Sequence, residues 1–169
     1  MSLALVYTSA SLGLNAPLVT VEVHLSNGLP ALAIVGLPEA AVRESKDRVR
    51  SALINAGFEF PQRRLTINLA PADLPKEGGR FDLPIALGIL AASGQISVES
   101  LQQREFLGEL ALTGELRPIL GVLSASLAAT KDQHQLFVPD ENAAEAARPK
   151  EAHIYGVKDL ARLCQHLSG

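Results

Sequence analysis

The stretch from Pro84 to Ala92, PIALGILAA, is apolar on nearly every side of a helix. Such a helix has no face to offer water, so it must lie at the centre of a fold with other elements packed around it. Asp82 is the expected N-cap of a helix over 82–93, and Pro84 falls in the first turn, where a missing N–H does no harm. Gly88 costs about 1 kcal/mol against Ala inside a helix. Its presence makes sense if a neighbouring element has to approach closely.

The elements around this helix carry period-two and period-3.6 patterns. Val19, Val21, Val23 and Leu25 share one face of a half-buried strand, with Thr20, Glu22 and His24 on the other. Leu3 to Thr8 reads as an earlier strand and Leu65 to Leu69 as a later one. Ser26-Asn27-Gly28 is turn chemistry, so Ala31 to Val35 is expected to pair with the 19–25 strand as a hairpin. Gly36-Leu37-Pro38-Glu39 opens a helix to about Asn55, with Gly57 as its stop. Val42, Val49, Leu53 and Ala56 line its apolar face. Pro71 to Arg80, with two prolines and Gly78-Gly79, reads as a long loop.

The second half alternates. A strand is expected within Phe106 to Leu112, a turn at Gly114-Glu115, and a returning strand over Leu116 to Ile119. A helix over Val122 to Lys131 follows, then a strand over Leu136 to Val138. A short helix runs from Pro139 through Ala147 with Asp140 as N-cap, then a strand over His153 to Gly156 and a helix over Val157 to Leu167. Strand–helix alternation implies parallel pairing there. The expected class is α/β (α+β): one domain over 1–169, a mixed sheet with an antiparallel front half and helices packed on it. Aromatics make up only 4% of the chain and Trp is absent, which also favours helices on a sheet over an aromatic-rich sandwich.

Composition excludes several functions. The net charge of −3 gives no global basic field, so any nucleic-acid contact needs a local patch. A single cysteine, Cys164, makes no internal disulfide, and no Cys/His cluster has metal-ligand spacing. No segment reaches the ~18 apolar residues of a membrane span. The first residues lack the basic start of a secretory signal, so no membrane and a cytoplasmic location are expected.

Catalytic motifs are missing. No segment fits GxxxxGK[ST], GxSxG or HExxH. Gly78-Gly79 before a helix could bind an anion through free N–H groups, but a flexible turn explains it as well. His24, His134, His153 and His166 are scattered and read as surface residues, and Cys164 as a small core residue. Asp73, Glu77 and Asp82 could hold a metal, though loop solvation and capping explain them more cheaply. No catalytic, cofactor-binding or metal-ligating residue is assigned. The local basic residues are Arg43, Lys46, Arg48 and Arg50 on one helix, where pairing with Glu39, Glu44 and Asp47 is the simpler role. Arg63, Arg64, Lys76 and Arg80 are the candidate nucleic-acid contacts, because guanidinium and ammonium groups meet phosphates well.

The segment from Gly36 to Ile96, with its string NLAPADLPKEGGRFDLPIALGILAASG, resembles the amino-terminal domain of the ComM/YifB family of magnesium-chelatase-related AAA+ ATPases. FLGELALTGELRPILGVLSASLAA, Phe106 to Ala129, continues the likeness. The resemblance implies a Lon-protease-like fold, similar also to the carboxy-terminal domain of RadA. It implies an AAA+ module beyond residue 169 that carries the P-loop, ATP and Mg. It implies a hexameric ring acting as a DNA helicase in branch migration during natural transformation. Lon-type peptidases pair a serine with a lysine base, and both are needed. Here Arg80 stands where the serine would be and Leu123 where the lysine would be, so no proteolysis is expected. A purely structural oligomerisation or partner-docking domain is the alternative function, with a peptidase last.

Overall fold

The computed structural model describes residues 2–36 and 40–169. Its main sheet has seven strands in the order β3-β4-β2-β1-β5-β8-β9. These are β1 (Ser2–Ser9), β2 (Leu18–Ser26), β3 (Ala31–Val35), β4 (Arg64–Ala70), β5 (Arg104–Phe106), β8 (Gln135–Pro139) and β9 (Ile154–Val157). A two-stranded ribbon, β6 (Glu109–Leu110) with β7 (Leu116–Arg117), follows β5. The helices are α1 (Ala40–Arg43), α2 (Ser45–Asn55), α3 (Asp82–Ala92), α4 (Val122–Lys131), α5 (Ala143–Ala146) and α6 (Leu160–Leu167). Short 3-10 turns lie at Val98–Leu101 and Asp140–Asn142.

The sheet is mixed, as the alternation patterns require. β1 pairs antiparallel with β2, and β2 with β4, whereas β5, β8 and β9 pair in parallel and β5 joins β1 in parallel. The expected hairpin between β2 and β3 does not form. β4 lies between them, antiparallel to β2 (Leu25 opposite Leu65) and parallel to β3 (Leu32 opposite Leu65). The reason is the helical segment between β3 and β4. It makes a strand–helix–strand crossover, which brings its two strands together in parallel. The turn at Ser26-Asn27-Gly28 is local and carries no information about which strand arrives beside β2.

Every residue of α3 is buried. It lies against β1 and β2, where Val6, Val21 and Val23 turn inward. Gly88 is where the closest approach occurs: a Cβ built there would stand 2.4 Å from Val23 Cγ2. Behind β8 a smaller cluster of Val122, Ala125, Ala129, Leu136, Val138 and Ala146 holds α4 and α5, while Phe137 faces the main core. The back half thus has helices on both sheet faces. On β1 the alternate residues Leu3 and Leu5 are exposed.

Several expected boundaries move for stated reasons. The 36–55 helix is two helices that meet at Glu44, and its expected opening at Leu37-Pro38-Glu39 lies outside the described residues. Asp82 is not the N-cap of α3. Phe81 takes that position, and the Asp82 carboxylate is engaged elsewhere. Asp140 is not an N-cap either: it is the first residue of the 3-10 turn, Pro139 takes the cap position there, and Asn142 takes it for α5. The last helix starts at Leu160, capped by Asp159, whose Oδ1 accepts the Arg162 N–H at 2.8 Å.

Candidate functional site

The four basic candidates do not form one patch. Arg63 and Arg64 stand where β4 begins, and Lys76 is fastened to the residue that follows its end. Seven residues of strand separate the two places by roughly 20 Å at about 3.3 Å per residue.

Lys76 is 1% exposed and donates from Nζ to the carbonyls of Gly36 (2.6 Å) and Pro71. These carbonyls follow the adjacent parallel strands β3 and β4, so the ammonium ties the two strand ends together. It is an internal clamp rather than a surface contact. Burial lowers its pKa, with Asp73 acting in the opposite sense. In the window between that lowered value and the ordinary 10.5 the unfolded chain holds more protons than the folded one, so stability rises with pH there. Lys76→Met removes the donor from both carbonyls and should cost about 1–3 kcal/mol. Urea unfolding across pH should show wild type gaining on Lys76→Met as pH climbs toward 10.5. A gap that narrows would contradict the lowering of this pKa by burial.

Arg63 keeps company with residues of α2 instead. Lys46, Arg50 and Arg63 line one groove of about 230 Å³ beside the start of β3, with Phe60 at its wall and Asp47 the one acid lining it. The Arg50 guanidinium carbon sits 5.0 Å over the centroid of the Phe60 ring, which fixes its plane. Arg63 Nε is buried without a partner, and Arg64 beside it is exposed. The sequence placed Lys46 and Arg50 on the polar side of their helix, but only the fold puts Arg63 across from them.

Arg48 parts from its helix neighbours. Its Nε donates to Asp82 Oδ2 at 2.7 Å and its Nη2 to Oδ1 at 3.1 Å. Ser45 Oγ donates to Asp82 Oδ1, and the Leu110 N–H to Oδ2 at 3.0 Å. The carboxylate is wholly buried and joins α2, α3 and β6. Burial presses its pKa upward, while Arg48, Ser45 and Leu110 oppose that, and the Asp82 hydrogen bond holds Arg48 above its ordinary value.

Arg80 is 7% exposed, at the rim of a cavity of about 470 Å³ shared with Ser11, Glu77, Glu109 and Leu120. Nη1 donates to the Leu120 carbonyl at 3.2 Å, and burial brings the guanidinium pKa down to about 10. The loop of Arg80 and the segment leading to Leu123 therefore meet. Neither residue is a nucleophile or a base of the serine–lysine kind.

Two other groups are settled by the structure. Cys164 is buried, its thiol pushed up to about 12 by burial, as a core residue would be. His134 is not a plain surface residue: Nδ1 lies 2.8 Å from Oε2 of the buried Glu105 and the ring stacks on Tyr7. With Asp132 these two bring possible ligand atoms within 4.8 Å of one another, the one such trio among the described residues. Asp132, His134 and Glu105 are spread over three positions of a turn and a distant strand, so spacing gave no sign of it.

The family described as subunit ChlI of Mg-chelatase matches residues 21–142 of this chain. The chain belongs to the ChlI family. Among curated relatives, Competence protein ComM of Haemophilus influenzae is 57% identical over 169 residues, all of this chain and 33% of the relative. Proteins called YifB in Salmonella typhimurium and Escherichia coli are 53% and 51% identical over the same share of each. The chain spans about a third of the length of these relatives. This ChlI-family chain has no segment with the spacing of a phosphate-cradling P-loop. No helix among its described residues is long and apolar enough to cross a membrane.

Proposed function

We propose that this chain is the non-proteolytic amino-terminal domain of a hexameric AAA+ ATPase, a cytoplasmic DNA helicase of branch migration in natural transformation. Within that ring it contributes DNA contact and assembly. The observation that carries the DNA part is the groove. Three cations, Lys46, Arg50 and Arg63, converge there with a single acid, and the exposed Arg64 follows Arg63 in the chain. A local patch of this kind is what a chain of net charge −3 needs to hold a phosphate backbone. The competence name of the Haemophilus influenzae relative supports the setting. ATP, Mg and the motor belong to residues outside these 169, and the Lon-like scaffold is used without its dyad because Arg80 and Leu123 replace it.

The full-length protein should bind duplex and branched DNA with an affinity that falls steeply as salt rises. Replacing Lys46, Arg50, Arg63 and Arg64 together by Ala should flatten the log–log salt slope by about 3–4, since each phosphate left without its cation removes about 0.9. Fluorescence anisotropy between about 50 and 200 mM salt reads this directly. An unchanged slope and affinity would rule out DNA contact at this groove. A purely structural role would then remain, with the exposed Leu3 and Leu5 of the open sheet face as its surface.

A further inference from the structure

An imidazole and two carboxylates meet just past the carboxyl end of α4. That helix ends in a Schellman motif: the His134 N–H donates to the Ala129 carbonyl at 2.9 Å and the Gln133 N–H to the Thr130 carbonyl at 3.0 Å. Gln133 takes the left-handed position of the motif, with φ of 60°, where glycine is usual. The chain then enters β8, which pairs in parallel with β5 and sets Leu136 opposite Glu105. On the other side of β5, Tyr7 of β1 stands opposite Glu105. His134 meets both of these neighbours. Its ring stacks on Tyr7, with centroids 5.8 Å apart and 7° between planes, and its Nδ1 lies 2.8 Å from Glu105 Oε2.

The group is short of positive charge. Glu105 is 1% exposed, and a buried carboxylate is costly unless it is paired. One imidazole offers at most one positive charge against the carboxylates of Glu105 and Asp132. Asp132 makes no ion pair with a described residue. Arg104, next to Glu105 in the chain, is engaged elsewhere: it donates to the Ser100 carbonyl at 2.6 Å and lies over the Phe137 ring. The carboxyl end of α4 adds negative potential of its own.

The donor set selects the kind of cation. Carboxylate oxygens alone suit Mg²⁺ or Ca²⁺, whereas an imidazole among them moves the preference to zinc and its neighbours in the first transition row. The possible ligand atoms of the three residues all lie within 4.8 Å of one another. Around a four-coordinate zinc ion, with bonds of about 2.0–2.2 Å, ligand atoms stand roughly 3.3 Å apart. Small side-chain rotations bring the three to that spacing, and the proton shared by Nδ1 and Oε2 leaves as the ion enters. Burial holds Glu105 and the Tyr7 stack holds the His134 ring, while the exposed Asp132 leaves a way in from solvent. We propose that Glu105, Asp132 and His134 bind a divalent transition-metal ion of the zinc type, with the fourth position left to water.

The test is titration of the chelator-treated full-length protein with Co²⁺, followed by its visible absorption, and then displacement by Zn²⁺ or Mg²⁺. Co²⁺ should give the intense bands of a four-coordinate site, and Zn²⁺ should abolish them at concentrations at which Mg²⁺ leaves them unchanged. Asp132→Ala and His134→Gln should each weaken Zn²⁺ binding at least tenfold. His24→Gln and His153→Gln should bind as wild type does, which separates this site from surface histidines. Circular dichroism of each variant checks folding. If His134→Gln fails to fold, Asp132→Ala decides alone, since that side chain is exposed. Absence of the Co²⁺ bands overturns the proposal and leaves a plain His134–Glu105 pair. So does displacement by Mg²⁺ as readily as by Zn²⁺, or Zn²⁺ binding unaltered in Asp132→Ala. The groove variants at Lys46 and Arg63 should bind Zn²⁺ as wild type does, so this result stands apart from the fate of the DNA reading.

Discussion

Asp82→Ala is expected to destabilise the domain by about 3–5 kcal/mol, the cost of breaking a buried ion pair from one side. The carboxylate receives four hydrogen bonds: two from Arg48, one from Ser45 and one from the Leu110 N–H. Without it the Arg48 guanidinium loses two hydrogen bonds and the backbone N–H of Leu110 loses its acceptor. At roughly 2–4 °C per kcal/mol for a chain of this size, melting should begin some 6–20 °C lower. Asp82→Asn keeps one acceptor oxygen, enough for Leu110 or Ser45 but not for both, and should cost less than Ala. Changing Arg48 to Met as well removes the cation that Asp82 holds, so Asp82→Ala in that background should cost clearly less than it does in wild type. Denaturant unfolding of the four proteins measures this cycle. A loss below 1 kcal/mol for Asp82→Ala would mean that Asp82 is not the joint between α2, α3 and β6.

Gly88→Ala should reverse the usual rule for helices. On an exposed helix the change gains about 1 kcal/mol. Here the new methyl would stand 2.4 Å from Val23 Cγ2 and 3.4 Å from Val6 Cγ2, inside a helix buried on all sides. Overpacking of that kind costs about 1–3 kcal/mol. Val23→Ala should restore part of the loss, because it removes the methyl that is struck. If Gly88→Ala is instead neutral or stabilising in thermal unfolding, α3 does not press on β2 at this point.

The central helix was the most legible part of the fold because an all-apolar helix has few places to go. The bounds of Val122–Lys131 and the parallel back half followed from periodicity in the same way. Pairing was less legible. The sequence near Asn27 allows both a hairpin and a crossover, and only the return of the chain through α1 and α2 to a strand parallel to β3 decides between them. Charge was the least legible. Arg48 and Arg50 are two residues apart on one helix, yet one is tied to a buried carboxylate and the other lies over Phe60 in the groove. Lys76 and Arg80 read as an exposed basic loop because long charged side chains are rarely interior. Nothing local reveals that two strand-end carbonyls await the lysine, or that the Leu120 carbonyl accepts from the arginine.

The most direct test of the proposed DNA contact at the groove is amide hydrogen exchange on the full-length protein, with and without branched DNA, at low salt. Slowed exchange is expected in two segments that are distant in sequence and adjacent in the fold: 45–50 on α2 and 60–64 leading into β4. The segments 77–80 and 118–121 around Arg80 should exchange equally in both states, since Glu77 and the neighbouring Glu109 turn a polyanion away. Protection around Arg80 with none along 45–50 and 60–64 would contradict the account, and so would DNA-induced protection confined to residues outside this domain.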